Sequence, residues 1–283
     1  MTFNLERRWT FETQSQNEVI WKLLISPAGT LAGETRNVET KTASIFAIDV
    51  ATGSVRWRDV AIREPWWFAS ETATDATLYI QTFRTPELPE PQGIIALDMH
   101  TGKERWMQPE FSFVALGAQG IVYAMKQGFS RRDYFALDTL TGTVVQAFGE
   151  DATDAQLARD SARESDPNSY YATPLGEDHA DRIRELLKGT MEINDIRGSI
   201  DVLEFGRYLI LNYHARIQDR PEAALQNLLS NELIVIDART GDLLFRETLH
   251  RETPFPLPDN FFVTHRTLIY VKEKRILVGV PLP

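Results

Sequence analysis

Short apolar runs, each bounded by turn-forming residues, recur along this chain and predict β-strands. Four of these runs lead into the same eleven-residue pattern, in which an apolar strand is followed by Asp, then by Thr-Gly, and then by a second strand. The four copies lie at residues 47–57, 96–106, 136–146 and 235–245. Because self-similarity at a fixed spacing is typical of repeat architectures, the pattern predicts a protein built from several similar sheets.

Each copy of the pattern predicts a β-hairpin. The Asp carboxylate can accept hydrogen bonds from backbone N–H groups two or three residues further on, and the Gly supplies the positive φ that a tight turn needs. A catalytic residue is not usually repeated in every unit, so we assign these residues to the turns. The repeat turn residues are Asp49, Gly53, Asp98, Gly102, Asp138, Gly142, Asp237 and Gly241.

Two further strands are predicted before each hairpin, so that each unit has the four antiparallel strands of a propeller blade. They lie at 19–26 and 31–37, 66–72 and 77–83, 111–116 and 121–126, and 200–205 and 208–215. After the last hairpin the chain supplies only three strands, at 261–265, 268–272 and 275–280. Residues 7–11 resemble the last strands of the other units. The sequence therefore predicts an all-β, five-bladed propeller over residues 1–283, with the N-terminal strand closing the last blade.

A helical insertion is predicted at about 150–197, between the third and fourth blades. This stretch is rich in charges and poor in β-branched residues, and it contains helical patterns at 154–164 and 178–189. A further short helix is predicted at 221–229, since proline is tolerated in a first helical turn. We expect no strands in the insertion; strands there would instead indicate a sixth blade.

The repeat resembles the tryptophan-docking motif A-x-D-x-x-T-G-K-x-x-W of the PQQ-like, quinoprotein-type β-propellers. The copy at 96–106 matches every position, and the copy at 47–57 differs only in having Ser54 in place of Lys. The resemblance implies a bacterial domain-of-unknown-function family within that group, in which the Trp packs between blades. The quinone-dependent dehydrogenases of the group have about twice this length and usually a vicinal cysteine pair, which this chain lacks.

Composition narrows the function classes. With no cysteine, the chain has no disulfide, zinc–thiolate site or thiol nucleophile. A net charge of −10 argues against nucleic acid as a partner. The common phosphate-binding, dinucleotide-binding, nucleophile-elbow and zinc-protease motifs are absent. No leader or membrane-spanning segment is predicted. We therefore expect a cytoplasmic protein without cofactor or metal and without a membrane partner.

The long connections all fall on one predicted face of the propeller, at 84–93, 150–197, 218–232 and 250–260. Loops on rigid scaffolds carry function, so this face is the predicted working surface. The candidate ligand-binding residues on this face and along the central channel are Trp21, Trp66, Trp67, Asp201, Glu204 and His265.

Two functions remain open from the sequence. The first is a non-catalytic binding or scaffold protein that uses the loop-rich face for a protein or a small ligand, as a monomer or weak homodimer. The alternative is a carbohydrate-active enzyme resembling glycoside hydrolases, with carboxylates near the channel axis. Its candidate carboxylates are Glu71, Asp201 and Glu204.

Overall fold

The computed structural model describes residues 4–84, 90–117, 120–162, 168–176, 183, 185, 196–218, 220, 222, 226–258 and 260–283. Before the helix, the described strands are β1 (Trp9–Glu12), β2 (Glu18–Ile25), β3 (Thr30–Asn37), β4 (Thr42–Asp49), β5 (Val55–Ala61), β6 (Phe68–Ala73), β7 (Thr77–Phe83), β8 (Pro91–Asp98), β9 (Glu104–Gln108), β10 (Ser112–Gly117), β11 (Ile121–Gln127), β12 (Arg132–Asp138) and β13 (Val144–Gly149). The helix α1 (Thr153–Ala162) is followed by β14 (Ser169–Tyr171), β15 (Thr173–Pro174), β16 (Ile196–Phe205), β17 (Tyr208–Arg216), β18 (Leu229–Asp237), β19 (Leu243–Thr253), β20 (Phe261–Thr264), β21 (Thr267–Lys272) and β22 (Ile276–Pro281).

The described strands form five antiparallel sheets in two compact units. The three-sheet unit, Ser15–Asp49 and Ser54–Asp166, holds α1 and the sheets β2-β3-β4-β5, β6-β7-β8-β9 and β10-β11-β12-β13. The two-sheet unit is Met1–Gln14, Val50–Gly53 and Pro167–Pro283, with sheets β15-β16-β17-β18-β19 and β1-β22-β21-β20-β14. The chain is therefore all-β with repeated four-stranded antiparallel sheets, as predicted.

Burial along the middle strands shows that the sheets are covered on both faces. All residues of β7 except the last are buried, although neighbouring side chains of a strand point to opposite faces. In the three-sheet unit one continuous core joins Ile45 and Ala47 of β4 with Leu78 and Ile80 of β7. Successive sheets of this unit therefore pack face to face.

A tryptophan docked on a glycine links successive sheets of the three-sheet unit. Gly102 has φ +70°, and a Cβ atom there would lie 2.8 Å from Cδ2 of Trp57. The Trp57 indole donates a hydrogen bond of 2.9 Å to the Met99 carbonyl, three residues before that glycine. The same contact and the same bond recur for Trp106 on Gly142. The turn glycine therefore supplies both the backbone conformation and the space for the ring.

The N-terminal strand belongs to the last sheet of the two-sheet unit. β1 pairs antiparallel with β22, with Trp9 opposite Gly279. The Trp9 indole also donates a hydrogen bond of 2.8 Å to the Val50 carbonyl and lies against Gly53, as in the other docked pairs. The beginning of the chain thus forms an edge strand of this sheet.

The insertion contains strands as well as a helix. α1 begins one residue before the predicted span of 154–164 and ends two residues before its end, and Asp151 caps it by accepting the N–H of Thr153 at 2.9 Å. The prediction of no strands there is wrong, because β14 pairs with β20 and β15 pairs with β16. These strands of three and two residues are too short to show an alternating pattern. They extend existing sheets and form no additional sheet.

Two other predicted helices lie partly outside the described residues. The span 178–189 lies outside the described residues, except for Ile183 and Glu185, which are helical. The span 221–229 is described at Glu222, which is helical, and from residue 226 onward, where β18 begins at Leu229.

Candidate functional site

Each sheet of the three-sheet unit carries a β-bulge in its first strand. Pairing shifts register between Ile20 and Lys22 in β2, between Ser70 and Thr72 in β6, and between Phe113 and Ala115 in β10. The residues without a pairing partner are Trp21, Glu71 and Val114. Because bulges re-aim a side chain and are common beside functional sites, these positions mark the candidate site.

A guanidinium surrounded by aromatic rings lies next to the first of these bulges. The Arg36 guanidinium carbon is 5.4 Å from the Trp21 ring centroid, 5.1 Å from that of Trp66 and 5.3 Å from that of Phe68. The Lys41 ammonium is 4.9 Å from the Trp66 ring. All four distances are within the range of cation–π attraction. We call Trp21, Glu34, Arg36, Lys41, Trp66 and Phe68 the Arg36 cluster.

The base of the Arg36 cluster is a buried ion pair. Arg36 is 8% exposed and Glu34 is fully buried, with 2.9 Å between Nη2 and Oε2. The guanidinium also donates to the Trp66 carbonyl at 2.9 Å and to the Phe68 carbonyl, and the other Glu34 oxygen accepts the N–H of Ser70. Both charges are therefore compensated, and the pair joins β3 to the beginning of β6.

Glu71 differs from Glu34 because its carboxylate has no hydrogen bond or ion pair with any described residue. Burial raises the pKa of Glu71; the Lys22 charge opposes this shift, the Glu34 charge adds to it, and Arg159 of α1 also opposes it. The Lys22 ammonium itself donates to the Ser70 carbonyl. Trp21 directly precedes Lys22, and Glu71 directly follows Ser70. The two bulge residues are thus the sequence neighbours of the two residues that this hydrogen bond joins.

Of the six predicted ligand-binding residues, the structure brings two together. Trp21 and Trp66 both contact Arg36, and Trp21 is 62% exposed. Trp67 is half-buried, and Glu64 Oε1 accepts the N–H groups of Trp66 and Trp67 at 3.0 and 2.9 Å. These two hydrogen bonds to Glu64 fix the loop that carries the two tryptophans.

The other three predicted residues lie in the two-sheet unit and are outside the Arg36 cluster. Asp201 and Glu204 are in β16, opposite Asn212 and Leu209 of β17. His265 was expected at the end of a strand, but β20 ends at Thr264 and His265 has φ +46°. It therefore begins the tight turn before β21, where Nδ1 lies 3.0 Å from the Thr264 hydroxyl.

Arg36 and Glu34 were not among the residues predicted from the sequence. Residues two apart on a strand point to the same face, so opposite charges at these positions were the available signal. What the pattern could not show is that Trp21 occupies a bulge and is turned toward Arg36.

The repeated turn carboxylates are held by their own turns. Asp98 Oδ1 accepts the N–H groups of His100 and Thr101, both at 2.9 Å, and the Thr101 hydroxyl at 3.0 Å. The hydrogen bond from Arg105 is the main cause that lowers the pKa of Asp98 to about 2. Asp138 is bound in the same way by the N–H and hydroxyl of Thr141. These side chains therefore stabilise turns.

A buried row of polar side chains crosses the sheet of β17, β18 and β19 in the two-sheet unit. His214 and His250 both lie opposite Asn231. His214 Nε2 accepts the Leu257 N–H at 3.0 Å, so that nitrogen carries no proton. Burial, assisted by the His250 charge, lowers the pKa of His214 to about 4. Among the described residues, the Asn231 amide nitrogen has no hydrogen-bond partner.

We expect His214 to make the protein less stable in mild acid. Its folded-state pKa of about 4 lies below the ordinary value of 6.5, so the unfolded chain binds the proton first as pH falls. Stability should fall between pH 6.5 and pH 4, by up to about 3 kcal/mol. Urea unfolding across this range would measure the loss. A His214→Gln variant, which keeps an acceptor for Leu257, should show a flatter profile; an equally steep profile would contradict the assignment.

The described part of the chain contains neither a cluster of metal-ligating side chains nor a long apolar helix. No group of three or more His, Asp or Glu side chains converges there in a way that could hold a metal ion. No helix there combines the length and apolar composition needed to cross a bilayer.

Comparisons with known proteins give a partial family match and distant structural matches. Residues 25–106 match the family described as "Domain of unknown function (DUF4905)". No curated protein matches the chain significantly. Among solved structures, the chain is similar to BamB from Moraxella catarrhalis, with 11% identity, a TM-score of 0.29 and coverage of 98% of this chain and 99% of BamB. It is also similar to TolB from Acinetobacter baumannii, with 12% identity, a TM-score of 0.29 and coverage of 92% and 54%.

Proposed function

We propose that this chain is a single-domain, five-bladed PQQ-like β-propeller, closed by its N-terminal strand, and that it is a non-catalytic binding protein. The repeated Trp-on-Gly docking and the pairing of β1 with β22 support the fold. The partner docks at the Arg36 cluster. The lack of cysteine in the sequence supports a cytoplasmic location, and the lack of the common cofactor motifs supports a function that needs no cofactor.

The observation that carries the binding function is the exposed ring of Trp21. Most of this large side chain is open to solvent, on a bulge, over a guanidinium whose charge is compensated beneath it. Tryptophans on a rigid base are typical binding hot spots. The neighbouring Glu34 carboxylate is bound by Arg36 and Ser70, so it is not available as a catalytic base.

Replacing Trp21 by alanine is expected to abolish partner capture without unfolding the protein. Affinity capture from the source cells, with quantitative mass spectrometry, would compare the wild type with Trp21→Ala. Phe129→Ala is the matched control, since Phe129 is another exposed aromatic residue of the three-sheet unit. The proposal requires a partner that the wild type and Phe129→Ala retain and that Trp21→Ala loses. Equal capture by Trp21→Ala would contradict it.

One observation favours the carbohydrate-active alternative. A general acid needs a raised pKa, and Glu71 has one. A glycosidase of the common type also needs a second carboxylate about 5 to 9 Å away, and Glu34 in the same unit is paired. Hydrolysis of a glycan substrate that Glu71→Gln abolishes would establish the enzyme; hydrolysis that Glu71→Gln leaves unchanged would exclude this role for Glu71.

A further inference from the structure

Aromatic rings and cations alternate in the Arg36 cluster, and the last ring in the series, Trp21, is exposed to solvent. Lys41 lies over Trp66, and Arg36 lies near both Trp66 and Trp21. Among the residues that the structure describes, Trp66 has two cations nearby, whereas Trp21 has one and remains 62% exposed. Because the face of an indole ring attracts cations, a further cation is the group that the exposed surface of Trp21 fits best.

The second bulge residue, Glu71, adds a negative charge that is complementary to an incoming cation. Glu71 has no hydrogen bond or ion pair within the described part of the chain, and it is partly buried. The bond between Lys22 and the Ser70 carbonyl joins the two bulged strands, so Glu71 lies beside the same junction as Trp21. A partly buried carboxylate that no described residue binds by a hydrogen bond or ion pair is stabilised by an incoming cation.

We propose that the site of Trp21 and Glu71 binds an arginine side chain of a basic protein segment. This inference rests on the proposed binding function and specifies the partner. The planar guanidinium stacks on Trp21 and is bound by the Glu71 carboxylate, since arginine combines ring stacking with carboxylate pairing. The net charge of −10 favours a basic partner over an acidic one through long-range attraction.

Binding should depend on pH through Glu71. The charged groups that act on this carboxylate are Lys22 of β2, Glu34 of β3 and Arg159 of α1, and burial is the largest cause of its raised pKa. The carboxylate must be ionised to bind a guanidinium, so affinity should rise with pH as Glu71 loses its proton. Glu71→Gln should remove this rise.

The test uses three fluorescein-labelled peptides in which glycine alternates with arginine, lysine or glutamate. Fluorescence anisotropy at moderate salt would measure their affinity for the full chain. The arginine peptide should bind best, Trp21→Ala should weaken it about tenfold, and Trp21→Phe should retain most of the affinity. Glu104→Gln, an exposed carboxylate on β9, is the control for Glu71→Gln and should bind as the wild type does. Equal thermal midpoints would show that the variants are folded.

Four outcomes of these experiments would contradict the inference or the proposed function. Equal affinity of Trp21→Ala and wild type would show that the peptide binds through general electrostatics, and stronger binding of the glutamate peptide would indicate an acidic partner. Both overturn the inference. If Trp21→Ala loses a cellular partner but the arginine peptide does not bind the wild type, the binding function stands and the basic partner is wrong. If the peptide binds as expected but no cellular partner depends on Trp21, the proposed function fails.

Discussion

Replacing Arg36 by methionine is expected to lower the free energy of unfolding by about 3–5 kcal/mol. The substitution introduces an apolar side chain of similar length. It removes the only cation that is paired with the Glu34 carboxylate among the described residues. Glu34 would remain fully buried and uncompensated. The carbonyl groups of Trp66 and Phe68 would also lose their donor. Urea denaturation at neutral pH would measure the change.

Arg56→Met provides the matched control. Arg56 pairs with Asp49 at 3.6 Å, and both side chains are about a third exposed, so its loss should cost less than about 1 kcal/mol. A second test is Arg36→Met combined with Glu34→Met, which should recover part of the lost stability because no uncompensated charge remains. If Arg36→Met costs no more than Arg56→Met, the ion pair is not the base of the cluster that we describe.

Those parts of the fold that depend on local chemistry could be predicted from the sequence. The Asp-x-x-Thr-Gly pattern contains both the hydrogen-bond acceptor and the positive-φ residue of its turn, so the hairpins around Gly102 and Gly142 follow from a few adjacent residues. The N-terminal strand was recognisable because Trp9 repeats the motif position of Trp57 and Trp106.

The parts that the sequence did not reveal depend on distant partners. β14 and β15 are strands only because β20 and β16 pair with them. Trp21 was a candidate from its residue type alone. Its position over Arg36 depends on a register shift between β2 and β3, which a strict alternation of side chains does not predict. Glu71 was a candidate carboxylate for catalysis, and only the packed structure shows that no described residue forms a hydrogen bond or ion pair with it.

Replacing Trp57 by alanine is expected to cost about 3–5 kcal/mol of unfolding free energy. The ring is 8% exposed, belongs to the core between two sheets of the three-sheet unit, and its indole N–H is bonded to the Met99 carbonyl. The substitution would leave a cavity and remove the contact with Gly102. Chemical denaturation of Trp57→Ala beside Trp21→Ala would measure the effect, because Trp21 is mostly exposed and its loss should cost far less.

The glycine side of the docked pair gives an independent check. Gly102→Ala and Gly206→Ala both place a Cβ on a residue with positive φ, +70° and +60°. At Gly206 nothing lies within 4 Å of the new atom, so only backbone strain, of about 1 kcal/mol, is expected. At Gly102 the new atom would lie 2.8 Å from the Trp57 ring and displace it, so Gly102→Ala should be clearly more destabilising. If the two glycine variants lost equal free energy of unfolding, the position of Trp57 would not depend on the absence of a Cβ atom at Gly102. The explanation that Trp-on-Gly contacts hold the sheets together would then be wrong.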